Sequence, residues 1–176
     1  MKTVLSALCC LVLFSLPAVA QKKTAAAAAM TSQEFVDFAA QTDMVEANLG
    51  QLAQDVAATQ AVKDYGKMLV TDHTADYEKL QSMAKGAGLT VPAAIDAENN
   101  KTMIGPMHAL KGAAFDHKYI AEMVTGHTKA LAIYNKEADE TKDEAVKTYA
   151  QDAIPVLEKH LEDAKAIAQG KTPANM

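Results

Sequence analysis

The spacing of apolar residues is the feature that most constrains this chain. Four long segments carry apolar side chains three or four residues apart, a spacing that places them on one face of an α-helix. We predict long helices over residues 33–57, 60–86, 113–139 and 143–169, and a short helix over 96–110. No Asn-Gly or Asp-Gly hairpin signal occurs in the sequence. The pattern predicts an all-α protein.

The links between these segments predict the topology. A few residues join the first predicted helix to the second and the third to the fourth, so the members of each pair should lie antiparallel. About 25 residues separate the second long helix from the third, enough to travel back along a bundle. Two helical hairpins joined by one long connection form the ferritin-like arrangement. We therefore expect an antiparallel four-helix bundle with a long crossover between helices 2 and 3 that contains a short extra helix.

The first residues have the layout of a secretory signal peptide. Lys2 precedes an apolar run over residues 4–16, and Ala18-Val19-Ala20 forms an A-x-A cleavage site. We expect cleavage after Ala20 and export across the inner membrane to the periplasm or envelope, with no membrane span in the mature chain. An uncleaved membrane anchor is the alternative. The expected organisation is a signal peptide (1–20), an Ala-rich N-terminal tether (21–30), a four-helix bundle domain (31–169) and a disordered tail (170–176).

Composition excludes several classes of function. The chain has a formal charge of −5 and no basic stripe, and losing Lys2 makes the mature chain −6, so nucleic acid is not an expected partner. Both cysteines lie within the signal peptide, which excludes thiolate chemistry from the mature chain. The sequence has no G-x-S-x-G, H-E-x-x-H or glycine-rich phosphate loop, which argues against a hydrolase. A protein partner and a homo-oligomer both stay open.

Polar side chains interrupt the apolar faces of all four predicted long helices. These residues are Glu46, His73, His127 and His160, with Glu122 beside the third apolar face and Asp72 next to His73. Counting residues from the predicted turns places Glu46, His73 and His127 at one height. The same count places His160 with Glu122, roughly 7 Å further along the bundle. The polar residues should therefore gather near its centre.

Imidazole and carboxylate groups together suit a divalent transition metal such as Zn, Fe, Mn, Ni or Cu. One hypothesis is a metal site with the five ligands Glu46, His73, His127, Glu122 and His160, and with Asp72 in the outer shell. The alternatives are a metal-free polar core, in which histidine and glutamate bond each other, and surface positions for several of these residues. The methionines stand at helical spacing without an M-x-x-M cluster and are interpreted as core residues.

Several motifs resemble the bacterial envelope family called domain of unknown function 4142. They are Met44-Val-Glu46, Asp72-His73, Phe115-Asp116-x-x-Tyr119-x-x-x-Met123-x-x-x-His127 and Pro155-x-Leu157-x-x-His160. The resemblance covers about residues 32–168. It implies an exported ferritin-like bundle and points to Glu46, His73, His127 and His160 as matching positions, but it supplies no established activity.

The chain departs from di-iron ferritin-like proteins at the residues that would bind iron. Those proteins carry Glu-x-x-His on two helices, whereas Val70, Val124 and Leu157 stand three residues before the three candidate histidines. Iron oxidation is therefore the least favoured hypothesis. We expect either a protein that binds metal for sequestration or stress protection, or a metal-free structural or interaction protein of the envelope.

Overall fold

The computed structural model describes residues 30–173, and the predicted signal peptide lies outside them, as do residues 21–29 and 174–176. The long helices are α1 (Ser32–Val56), α2 (Gln60–Ala87), α5 (Gly112–Glu140) and α6 (Glu144–Ala168). The crossover contains α3 (Ala97–Asn99), a π-helical segment (Asn100–Ile104) and α4 (Gly105–His108). The fold is an antiparallel four-helix bundle with a helical crossover, as the sequence predicts.

Side-chain caps define where the long helices begin. Thr31 and Glu34 form a capping box at the start of α1, each side chain bonding the backbone N–H of the other residue. Asp143 accepts hydrogen bonds from two backbone N–H groups in the first turn of α6. Asp116 on α5 accepts hydrogen bonds from the backbone N–H groups of Ala58 and Thr59 at 2.9 and 3.0 Å. This contact attaches the α1–α2 turn to the second hairpin.

Two glycines allow α1 and α2 to pack closely. A Cβ atom built on Gly50 would lie 2.6 Å from the carbonyl oxygen of Gly66, and one built on Gly66 would lie 2.7 Å from that of Gly50. Such distances are shorter than carbon–oxygen contacts allow. The two backbones can therefore approach this closely only while both positions lack a side chain.

The apolar core has two parts, separated by a layer of polar residues. One part includes Phe35, Leu80, Tyr134 and Tyr149, and the other includes Leu49, Leu69, Tyr119 and Met123. Along every long helix, the boundary between the two parts coincides with a buried polar residue: Asp43 and Glu46 on α1, His73 on α2, His127 on α5 and His160 on α6. The polar layer thus lies near mid-height in the bundle.

Hydrogen bonds attach the crossover to the first hairpin. The side chain of Gln41 on α1 bonds the carbonyl of Ala94 at 3.0 Å and the N–H of Asp96 at 2.9 Å. Tyr77 on α2 donates to the carbonyl of Pro92 at 2.6 Å. The crossover is therefore held against α1 and α2 before it reaches α5. Among the helices of residues 30–173, none combines the length and apolar character that crossing a membrane requires.

Candidate metal centre

Three histidines from three different helices meet in the polar layer. His73, His127 and His160 are 3%, 1% and 1% exposed, and their ring centroids lie 5.2–5.9 Å apart. One nitrogen can be taken from each ring so that the three nitrogens all lie within 4.8 Å of one another. Each histidine occupies a position on its helix that faces the core. The group could hold a metal ion.

The outward-facing nitrogen of each ring has a hydrogen-bond acceptor. The Nδ1 atom of His73 lies 2.9 Å from Asp43 Oδ1, and the Nε2 atom of His160 lies 2.9 Å from Asp72 Oδ2. The Nδ1 atom of His127 lies 2.9 Å from the carbonyl oxygen of Met123. A carbonyl and an ionised carboxylate can only accept, so these three nitrogens carry the protons. Metal-binding histidines in proteins are oriented by acceptors of this kind.

The inner nitrogens of His127 and His160 therefore carry lone pairs that point into the group. Burial lowers the pKa of His127 to about 3, helped by the charges of His73 and His160, and burial with the charge of His73 lowers the pKa of His160 to about 4. Both rings are thus neutral near pH 7. His127 Nε2 and His160 Nδ1 face each other at 3.3 Å. Two lone pairs at this distance repel each other unless a proton or a metal ion lies between them.

The separation of these two nitrogens matches that of ligands on one metal ion. Two imidazole nitrogens bound to zinc at about 2.0–2.1 Å lie roughly 3.3–3.6 Å apart, for tetrahedral to trigonal angles. The observed separation of His127 Nε2 from His160 Nδ1 is 3.3 Å. His73 Nε2 is buried and has no hydrogen-bond partner within residues 30–173. A cation bound by all three nitrogens would remove the repulsion between His127 Nε2 and His160 Nδ1, and it would give His73 Nε2 a partner.

Two buried carboxylates add negative charge beside the histidines. Burial raises the pKa of Asp43 to about 6 against the opposing hydrogen bond from His73, and burial raises the pKa of Glu46 to about 7. Although burial by itself lowers the pKa of His73, the bond and charge of Asp43 and the charge of Glu46 raise it overall. Asp43 Oδ2 and Glu46 Oε2 have no partner in the part of the chain that the structure describes. The layer therefore favours a cation.

The structure brings together three of the five residues that the sequence offered as ligands. His160 lies with His73 and His127, although residue counting had placed it roughly 7 Å further along the bundle. That expected offset is wrong because the second turn spans several residues and imidazole rings reach across the core. Glu46 is buried in the same layer but is not in the three-residue group.

Glu122, the fifth proposed ligand, and Asp72, the proposed outer-shell residue, lie toward the surface. Glu122 is 29% exposed on α5 and pairs with Lys118 one turn earlier on the same helix. The structure does not bring Glu122 to the histidines, because its neighbour Met123 takes the inward position. Asp72 is 38% exposed and bonds His160 rather than its neighbour His73.

Sequence reasoning missed three contacts at the site. Asp43 stands three residues before Glu46, a spacing that puts both on one helix face, so helical spacing could have identified it. Tyr65 donates a buried hydrogen bond of 3.1 Å to the carbonyl of His160, which anchors α6 at the site. The Met123 carbonyl is a backbone atom, and no residue pattern marks it.

Comparisons with known proteins agree with this fold. The model of a family described as "Domain of unknown function (DUF4142)" matches residues 17–167. The structure is similar to CopM in the Cu(II)-bound form, with a TM-score of 0.68, 15% identity, and coverage of 81% of this chain and 99% of that one. It is also similar to CopM in the Ag-bound form, with a TM-score of 0.62, 17% identity, and coverage of 80% and 97%. No curated protein matches the sequence.

Proposed function

We propose that this chain, which belongs to the family described as domain of unknown function DUF4142, binds one transition-metal ion through His73, His127 and His160. One observation carries the proposal. Each ring has its outer nitrogen occupied by an acceptor and its inner nitrogen turned toward the other two rings. A purely structural histidine cluster would gain nothing from the facing lone pairs of His127 and His160, or from a His73 Nε2 that is buried without a partner.

Copper is the metal that we favour. Imidazole ligands suit copper, zinc, nickel and iron, whereas manganese prefers oxygen ligands. The two solved structures that share this fold are described as Cu(II)-bound and Ag-bound, which supports a copper-like ion for this chain. Zinc is the second candidate, because three histidines and an open fourth position form a known zinc arrangement.

The depth of the site suggests sequestration rather than catalysis. All three histidines are at least 97% buried, so a bound ion would be shielded from water and from other reactants. We further propose that this sequestration takes place in the periplasm or envelope. The support is the signal-peptide pattern that ends at Ala20.

A metal-free polar core is the competing account, and the acceptors around the rings favour it in part. Asp43 and Asp72 would orient His73 and His160 with or without an ion. This account leaves His73 Nε2 buried without a partner, a cost of roughly 1–3 kcal/mol. A bound cation removes that cost.

Thermal melting of metal-stripped protein separates the two accounts. A ligand that binds only the folded state stabilises it by roughly 2.7 kcal/mol at a hundredfold excess over its dissociation constant. We expect Cu or Zn to raise the Tm of the wild type by several degrees at one ion per chain.

Single His→Ala variants locate the site. His73→Ala, His127→Ala and His160→Ala should each abolish the metal-dependent rise, whereas the exposed controls His108→Ala and His117→Ala should keep it. If none of Zn, Mn, Fe, Ni and Cu shifts the wild-type Tm, the metal-free core is the better account.

A further inference from the structure

A groove on one side of the bundle reaches the polar layer from solvent. It lies between α1, the crossover and α5, and has a volume of about 250 Å³. Its lining includes Val45 and Glu46 from α1, Asn99 and Met103 from the crossover, and Gly126 and Lys129 from α5. The crossover rather than another long helix lies over this side of the bundle.

Glu46 lies at the inner end of this groove. The side chain is 6% exposed, and its Oε2 atom has no hydrogen-bond partner among residues 30–173. The charge of Glu46 acts on His73, which places the carboxylate near the proposed ligands. A buried carboxylate without a partner is costly, and a cation is the partner that would remove the cost.

Gly126 keeps the path beside Glu46 open. A Cβ atom built at Gly126 would lie 3.5 Å from Glu46 Oε1, so a longer side chain would fill the groove next to the carboxylate. Gly126 also directly precedes His127, one of the three proposed ligands. The residue of α5 that borders the groove beside Glu46 is therefore the direct neighbour of a proposed metal ligand.

From these observations we propose that the groove is the route by which a metal cation reaches the three histidines, with Glu46 as the carboxylate that receives it. The inference rests on the proposed function. Glu46 contacts the cation during entry, while the histidines hold the ion at equilibrium. Lys129 lies at the exposed rim, where its charge opposes the approach of a cation.

A second opening next to the histidines is far smaller. The space lined by Asp72, His73, Val156 and His160 has a volume of about 10 Å³, roughly that of a single water. A hydrated metal ion does not fit there without movement of α2 or α6. Compared with this opening, the groove at Glu46 has the space that a hydrated ion needs.

Stopped-flow mixing of metal-stripped full-length protein with Cu²⁺, followed by tyrosine fluorescence, tests the route. Gly126→Leu should slow uptake at least tenfold and leave one ion bound per chain at equilibrium. Gly86→Leu is the matched control, because a Cβ atom at Gly86 meets nothing within 4 Å, and it should leave the rate unchanged. Val156→Phe, which narrows the smaller opening, should also leave the rate unchanged.

A charge variant tests the route without adding bulk. Lys129→Glu should speed uptake several-fold at low salt, and the gain should disappear at high salt because ions screen the rim charge. The inference is overturned if Gly126→Leu and Lys129→Glu both take up Cu²⁺ at the wild-type rate, or if only Val156→Phe slows it. If the wild type binds no ion at equilibrium, the proposed function fails and the route fails with it.

Discussion

At the scale of single residues, the three histidines are held by different acceptors. His73 and His160 donate to carboxylates, and such a contact raises the basicity of a histidine ligand. His127 donates to a backbone carbonyl. His127 is therefore fixed by the helix itself, and no side-chain substitution at Met123 removes its acceptor. The contacts of Asp43 and Asp72 can be changed by mutation.

Asp43 should contribute to metal affinity without touching the metal. Asp43→Asn replaces a charged acceptor of the His73 proton with a neutral one, and such outer contacts are commonly worth about 10–100-fold in metal affinity. We expect a loss within that range in a competition titration with a chelator. Asp37→Asn, on the exposed face of the same helix, is the control and should bind as the wild type does. Equal affinities for all three proteins would contradict this role.

Glu46 should make the metal-free protein depend on pH. Burial raises the pKa of Glu46 from 4.5 to about 7, so ionising it costs the folded state more than the unfolded state. Stability is therefore lost as the pH rises from about 4.5 to 7, by an amount on the order of 3 kcal/mol for this group. In urea denaturation without metal, Glu46→Gln should gain stability relative to the wild type at pH 8 but much less at pH 5. If the two proteins differ in unfolding free energy by the same amount at pH 5 and pH 8, the raised pKa of Glu46 is contradicted.

At the scale of helices, the sequence predicted each long helix to within two residues of its observed ends. In the structure, Thr31 and Asp143 cap the starts of α1 and α6, and Gly88 in the left-handed conformation ends α2. Such capping residues make helix ends predictable, because they report local geometry that does not depend on packing. The π-helical segment at Asn100–Ile104 was not predicted. Its hydrogen-bond pattern has no residue signature as clear as a cap.

The closest contact between helices should be sensitive to a single methyl group. Gly66→Ala would place a Cβ atom 2.7 Å from the carbonyl of Gly50 and 2.8 Å from the Cβ atom of Ala53. The backbones of α1 and α2 must then separate, which should lower the unfolding free energy by about 1–3 kcal/mol.

Gly86→Ala provides the matched control within α2. It introduces the same group where nothing lies within 4 Å, and alanine favours a helix over glycine by up to about 1 kcal/mol. In urea denaturation, the unfolding free energy should fall for Gly66→Ala and rise for Gly86→Ala, relative to the wild type. Stabilisation by Gly66→Ala would contradict the close approach of the two backbones.

At the scale of the whole molecule, two apolar regions enclose one polar layer, and this arrangement determines how far the site could be predicted. The sequence located Glu46, His73 and His127 at one height because hairpin geometry relates position to residue number. It could not determine which polar atoms meet, since that depends on ring rotation and on helix separation. Glu122 illustrates the limit: one position along α5 separates an inward residue from one that pairs with Lys118 on the surface.

Nitrogen NMR of the imidazole rings tests the central claim most directly. In metal-free protein near pH 7, His127 should carry its proton on Nδ1 and show an unprotonated Nε2. Addition of one equivalent of Zn²⁺ or Ag⁺, both diamagnetic, should shift the resonances of His73 Nε2, His127 Nε2 and His160 Nδ1 together. The other nitrogen of each ring should stay protonated, and the exposed His108 and His117 should not change. Shifts confined to those exposed histidines, or no shift at one equivalent, would contradict a three-histidine metal site.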